Sequence, residues 1–377
     1  MKKKKKAIKL LLIGGGADEV NVRYACGFSA PDSFLFLDNS GEKHLVVSLL
    51  ELGRAKSLGD TIICHTPDSL GLKASARRSL GKQALGLLEH QKLKRISVSS
   101  TCPVGVVREL EKGGIKVSIA SDPLYPQRLL KTESEVRQLR ASQRAAVSAM
   151  KTAIALIQSS TITKNQMLKA PDGKALTSEK VRHEIERVLA ENDCSADEII
   201  VAGGNQAVDP HERGTGPLKA HEMIVLDIFP CSKLSGYWGD ITRTVLKGEP
   251  SLAQKNLYKT VLKAQKGALA QVKPGVTGKE IHLEICRIFE QAGYQTGMID
   301  GTPQGFIHST GHGVGLEIHE SPSVSPIGGA LEPGHVITIE PGLYYRDLGG
   351  VRIEDTIVVT ETGHSMLAPC SKQWILP

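Results

Sequence analysis

The sequence predicts an α+β chain of two domains, and three observations carry that reading. Up to about Leu130, short aliphatic or β-branched runs alternate with helical pieces, the mark of a small α/β domain. Beyond it, two rounds of long amphipathic helices are each followed by strand-like segments that should pair antiparallel. A chain of 377 residues with 40% apolar content also exceeds what one hydrophobic core keeps absorbing.

The chain opens on five lysines, Lys2–Lys6, ahead of Leu10-Leu-Leu-Ile13. This imitates the basic region of a signal peptide, but Lys9 interrupts it and only about seven apolar residues could follow, the bottom of the usual range. The reading is a solvated tail and then a first strand. Further strand-like runs stand at Ser33–Leu37, His44–Leu50, Thr61–Cys64, Ile96–Val98 and Lys116–Ile119, with a helix over Leu80–Gln91. Ser121-Asp-Pro-Leu-Tyr-Pro breaks the pattern, and Thr132-Glu-Ser-Glu135 is a capping box opening a long helix. Its apolar positions Val136, Leu139, Ala146, Met150, Ala153 and Ile157 share one face. The domain boundary is therefore expected at 122–132, giving an N-terminal domain over 1–128 and a second domain over 129–377. Further helices are expected over Ser178–Glu191, Leu252–Val272 and, behind a second capping box at Thr277-x-x-Glu280, Thr277–Ala292.

Composition excludes several function classes. Formal charge is +7, but Lys2–Lys6 supply five of those charges, so the body carries little field and nucleic-acid binding is not expected. No stretch approaches the roughly 18 apolar residues of a membrane span. The seven cysteines are scattered, odd in number and without a Cys-x-x-Cys pair, which suggests neither a disulfide framework nor a cysteine zinc site. A cytoplasmic location fits.

Chemistry concentrates between Asp227 and Glu354. Asp227, Asp240, Glu340 and Glu354 each sit inside an apolar or β-branched run, where a buried carboxylate is costly unless paired or metal-bound. Met223–Ile228 and Tyr237–Val245 flank a turn-rich connector and should form a hairpin with both aspartates on one face. Val336–Glu340 against Val351–Val359 can present Glu340 and Glu354 in the same way. Four converging carboxylates would be driven to protonate unless cations intervene, and two divalent ions cancel their charge. Oxygen ligands with one imidazole, His312, suit manganese first, with cobalt or zinc also possible.

Asp227, Asp240, His312, Glu340 and Glu354, in this order, resemble the five ligands of the M24 (pita-bread) metallopeptidase family, which includes methionine aminopeptidase, Xaa-Pro aminopeptidase and prolidase. The resemblance covers about residues 132–370. His308-Ser-Thr-Gly-His-Gly-Val-Gly-Leu-Glu-Ile-His-Glu320, Glu340-Pro-Gly and Val351-Arg-Ile-Glu-Asp355 are similar to its proline-directed members. The N-terminal domain, with Tyr24-Ala-Cys-Gly-Phe28 and Pro31-Asp-Ser-Phe-Leu35, resembles that of Xaa-Pro peptidases and creatinase. The resemblance implies a pita-bread catalytic domain holding two divalent metal ions, with Asp227 on one, His312 and Glu340 on the other, and Asp240 and Glu354 bridging. Glu340 becomes the implied general base. His211 and His319 stabilise the tetrahedral intermediate and position the substrate carbonyl, with His308 beside them and Arg352 behind the ligands. The implied partners are peptides with proline at the second position and a second copy of the chain as a homodimer.

One departure is visible: Asp227 and Asp240 lie two positions further apart than the family's usual spacing. An even insertion preserves the alternation of side chains, so the Pro230–Ser235 connector can absorb it. Expected activities are an Xaa-Pro aminopeptidase first and an Xaa-Pro dipeptidase as the alternative. A metal-free creatinase-like hydrolase and a non-catalytic binding protein would not need an intact ligand set. His44, His65, His90, His183, His221, His282, His335 and His364 are read as structural or surface groups.

Overall fold

The computed structural model describes residues 9–16 and 18–377, so the Lys2–Lys6 tail lies outside the described residues. The chain divides into two compact units, Met1–Arg128 and Leu129–Pro377.

The first unit is built on a six-stranded mixed sheet in the order Ile62–His65, Glu42–Val46, Phe34–Asn39, Lys9–Gly14, Arg95–Val98, Lys116–Ile119. All six expected runs contain strands, although His44–Leu50 is strand only through Val46 and passes into a turn at Leu49. Lys9–Gly14 is apolar without alternation because both sheet faces are covered, as central strands of α/β layers require. Leu11 and Ile13 pack beneath the helices Leu80–His90 and Val104–Lys112, through Leu87 and Leu110. Leu10 and Leu12 face the opposite layer with Val22 and Ala25 of the helix Glu19–Cys26.

In the second unit the expected order of helices followed by antiparallel strands appears twice. Glu133–Gln158 starts with the Thr132/Glu135 capping box and buries Leu139, Ala146, Met150, Ala153 and Ile157. Val136, in the first turn, is only half-covered. With Ser178–Glu191 it packs on a sheet ordered Ile200–Gly203, Ile224–Ile228, Ile241–Lys247, Ile375–Leu376. The second half repeats the plan: Leu252–Gln271 and Gly278–Gln291 lie on a sheet ordered Glu320–Val324, Gly311–Gly313, Val336–Ile339, Asp355–Val359, His364–Met366. Among the described residues, no helix is long and apolar enough to cross a membrane. All seven cysteines carry free thiols.

Two strand boundaries differ from expectation. The hairpin partner of Ile224–Ile228 begins at Ile241, because Trp238 turns away to bridge Cys231 and Gly239 N–H bonds the Pro230 carbonyl. Asp227 pairs with Thr242, so Asp240, two residues earlier, keeps the same face. The expected Val336–Glu340/Val351–Val359 ladder breaks at Pro341, which has no N–H to give. Its register nevertheless runs on, from Ile339 opposite Asp355 to Gly342 opposite Arg352.

The first unit holds a buried histidine pair: His44 Nδ1 lies 3.1 Å from His65 Nε2, and His65 meets the His90 ring edge-on. Burial, then the neighbouring imidazoles, pushes His65 down to about 4 from 6.5. Burial also lowers His44, outweighing the Glu42 carboxylate 2.8 Å from its Nε2. The unfolded imidazoles take protons near 6.5 and the folded His65 only near 4, so this stability is present above 6.5 and lost as pH falls through 4. Hydrogen-exchange protection of Glu42–Val46 and Ile62–His65 should therefore drop across that window, and His65→Phe should flatten the drop. Protection independent of pH in wild type would contradict the assignment.

Candidate metal centre

The two sheets place their ligands by exchanging backbone partners. Glu340 N–H, at the ladder's break, bonds the Thr310 carbonyl at 2.8 Å, bringing in the segment that carries His312. Glu354 N–H bonds the Thr242 carbonyl at 3.1 Å, bringing in the strand next to Asp240. Gly311 and Gly313 let His312 run between two strands: a Cβ at Gly311 would stand 2.0 Å from the Thr338 carbonyl oxygen, and one at Gly313 2.5 Å from that of Glu320.

Side chains then converge. His312 Nε2 lies 3.3 Å from Glu340 Oε1 and 3.6 Å from Asp240 Oδ2. Asp240, His312 and Glu354 each offer a ligand atom within 4.8 Å of the others. Asp227 Oδ2 accepts from Arg352 Nη2 at 2.7 Å, while its buried Oδ1 has no hydrogen-bond partner among the described residues. All five expected ligands, together with His211, His308, His319 and Arg352, line one cavity of about 810 Å³. Ile200, Phe229, Ile307 and Ile318 form its apolar part.

Several positioning groups were not anticipated from sequence. Gln143 clamps the Asp240 backbone, accepting its N–H at 2.8 Å and donating to its carbonyl at 2.7 Å. Thr242 Oγ1 donates to Glu354 Oε2 at 2.7 Å, and Thr338 Oγ1 accepts the His312 N–H at 3.0 Å while donating to Glu340 Oε1 at 3.2 Å. Tyr344 OH accepts from Arg352 Nη1 at 2.8 Å and lies 2.9 Å from His308 Nε2. Behind the centre, fully buried Arg243 bonds Asp355 at 2.7 Å. Hydroxyls at 242 and 338, at alternate positions of strands carrying acids, were a usable signal; Gln143 on a helix face was not.

His308 is neutral. Burial pushes it down to about 4, although Glu340 pulls the other way. Its Nδ1 lies 2.7 Å from the Ser309 carbonyl, which needs the proton there, and Nε2 then accepts from the Tyr344 hydroxyl. Both nitrogens are engaged, so His308 offers the cavity its ring rather than a donor. His211 and His319 are exposed at the cavity, the His319 ring edge-on to His312 at 4.3 Å.

Charge shows why these groups fit a cation. Burial first, then the neighbouring carboxylates, pushes Asp240 and Glu354 well above the usual carboxylate range. Burial opposes charge on Glu340 and His312 as well, yet their contact holds Glu340 down at about 2 and raises His312. Without a cation these groups lean toward the protonated form, and a divalent cation neutralises them better, since one cation can contact several oxygens at once. The Asp227 Oδ1 without a partner among the described residues, and the oxygen-rich donor set with one imidazole, suit a hard or borderline divalent cation.

Fold and donor set together define a metal-dependent peptidase built on two helix-and-sheet halves. The profile of metallopeptidase family M24 matches residues 137–361, and the chain belongs to that family. An Xaa-Pro dipeptidase of Pyrococcus horikoshii is 33% identical over 289 residues, 75% of each chain. The crystal structure of the prolidase from Pyrococcus horikoshii OT3 superposes with a TM-score of 0.80 at 30% identity, over 98% of this chain and 96% of that one. An X-Pro aminopeptidase from Thermotoga maritima superposes at 0.82 with 23% identity, over 98% and 97% of the chains, a likeness of fold.

With Asp240 and Glu354 pushed up by burial and their carboxylate neighbours, and His312 pushed up by its contact with Glu340, manganese should compete with protons at these groups, seen as a dependence of the calorimetric heat on buffer ionisation enthalpy that grows as pH falls. Glu354→Gln should reduce that dependence. A binding heat independent of the buffer throughout would contradict the protonation pattern.

Proposed function

We propose that the protein is an Xaa-Pro dipeptidase using two divalent cations, most simply manganese, held by Asp227, Asp240, His312, Glu340 and Glu354. The observation that carries this reading is the cavity itself, in which the acidic constellation faces an apolar wall suited to a proline ring. Of the two expected activities the aminopeptidase stood first, but among relatives at 30% identity or more those named for a specific activity are Xaa-Pro dipeptidases and a prolidase, which favours the alternative. Free thiols fit a reducing, cytoplasmic setting.

Bound in the centre, such cations would supply Lewis-acid polarisation of the scissile carbonyl and acidification of the attacking water. The chain's own groups do the rest. Glu340, kept ionised beside His312, accepts the proton of that water and returns it to the proline nitrogen, which has no proton of its own and leaves only once protonated. His319 and His211 stand at the open side, where an imidazole N–H can donate to the developing oxyanion. Arg352 and Tyr344 hold Asp227 and the His308 ring in place, and that ring with Ile307 and Ile318 covers the pyrrolidine.

Chelation should abolish cleavage of Ala-Pro, and manganese should restore it. His211→Ala and His319→Ala should lower kcat by about 10²-fold or more with metal content retained, whereas His312→Ala should lose metal. Replacing proline by alanine in the substrate should cost on the order of 10²-fold in kcat/KM, and acetylating the amino terminus should abolish cleavage. Equal rates on Ala-Pro and Ala-Ala would refute proline specificity.

A further inference from the structure

The cavity is lined by two arginines that the structure uses in opposite ways. Arg352 is buried and spends its donors on Asp227, Tyr344, Thr242 and the Pro210 carbonyl. Arg213 is exposed, and among the described residues its guanidinium has no hydrogen bond or ion pair. Its backbone, by contrast, is fixed. The Arg213 carbonyl accepts from Val201 N–H at 3.0 Å and from Arg182 at 2.6 Å, and Arg182 also holds the Gly214 carbonyl at 2.7 Å. Gly214, at φ +78°, approaches the Val201 carbonyl so closely that a Cβ would stand 1.9 Å from its oxygen. The turn is therefore pressed on the edge of the Ile200–Gly203 strand, and Arg213 is held at the cavity's rim two residues past His211.

The field of the site makes a cation there consequential. Asp227, Asp240, Glu340 and Glu354 line the interior and Glu198 stands on the rim, so the carboxylate of a dipeptide, two bonds from the scissile nitrogen, enters an acidic cavity. With Arg352 engaged, the one arginine or lysine among the described lining residues free to meet that carboxylate is Arg213. We propose that Arg213 is the specificity residue that accepts the C-terminal carboxylate of an Xaa-Pro dipeptide and so sets the preference for dipeptides over longer or blocked substrates. This rests on the Xaa-Pro reading of the site.

The test compares kcat/KM for Ala-Pro with that for Ala-Pro-amide, which lacks the carboxylate, on the metal-loaded wild type and on Arg213→Gln, Arg213→Glu and Arg213→Lys. The dipeptide-to-amide ratio should fall about 10- to 100-fold in Arg213→Gln, the range of one charge-assisted hydrogen bond, mainly through KM. It should fall further in Arg213→Glu and stay within about threefold in Arg213→Lys, which keeps the charge. In wild type it should also shrink as salt screens the pair. A ratio unchanged in Arg213→Gln, or equal losses on both substrates, would overturn the assignment to Arg213 while leaving the dipeptidase standing. A wild type that cleaves neither substrate would overturn the reading of the site itself.

Discussion

Four carboxylates that must lie side by side, away from water, are the constraint around which the second unit is built. At such separations like charges inside protein repel by several kcal/mol even at an effective dielectric near 20, so the group persists only if countercharge is brought in. Within the protein that countercharge is scarce. Arg352 serves Asp227, the His312 imidazole serves Glu340, and the remaining acids Asp240 and Glu354 are driven toward protonation. An arrangement that leaves buried Asp227 Oδ1 with no partner among the described residues is costly as a structural device. It would become favourable with divalent cations as the missing partners, and the proposed peptidase chemistry would draw on the same ions.

The fold meets this constraint by letting two sheets share their backbone bonds at the place where the acids emerge. Glu340 and Glu354 leave the ladder that joins them and bond instead to Thr310 and Thr242, which tie the segment bearing His312 and the strand next to Asp240 to the same point. Hydroxyls at Thr242 and Thr338 and the Gln143 amide then fix the carboxylates and backbone in a geometry they would not choose for themselves. Positioning thus falls to uncharged donors, two hydroxyls and an amide, which bring no countercharge of their own.

Much of this was legible in the sequence because it depends on local rules. A capping box at Thr132 and acids set in apolar or β-branched runs are properties of a few neighbouring residues: the helix starts at the box, Asp227 lies within its strand, and Asp240, Glu340 and Glu354 stand at strand ends. The ladder through Val336–Glu340 was read in pairing but not in its interruption: Pro341, with no N–H to give, stood in the sequence, whereas the distant Thr310 carbonyl that takes the Glu340 N–H did not show there. Gln143 could not be read at all: its partner Asp240 is 97 positions away, and on a helical face it looks like any polar residue. Tyr344 and Arg243 sit in strands where an aromatic or a long cation has many possible uses, and their roles come from tertiary contacts. His308 was expected beside His211 and His319 at the pocket; it lines the cavity, and both of its nitrogens are taken by Ser309 and Tyr344.

The claim at the centre of this account is that the carboxylates exist to hold cations. Anomalous diffraction from crystals of manganese-loaded protein, collected on either side of the manganese absorption edge, tests it directly. The account predicts two peaks in the cavity, one against Asp227 and the other against His312 and Glu340, with Asp240 and Glu354 between them. Crystals showing no anomalous density there, with the four acids paired to protein groups alone, would contradict it.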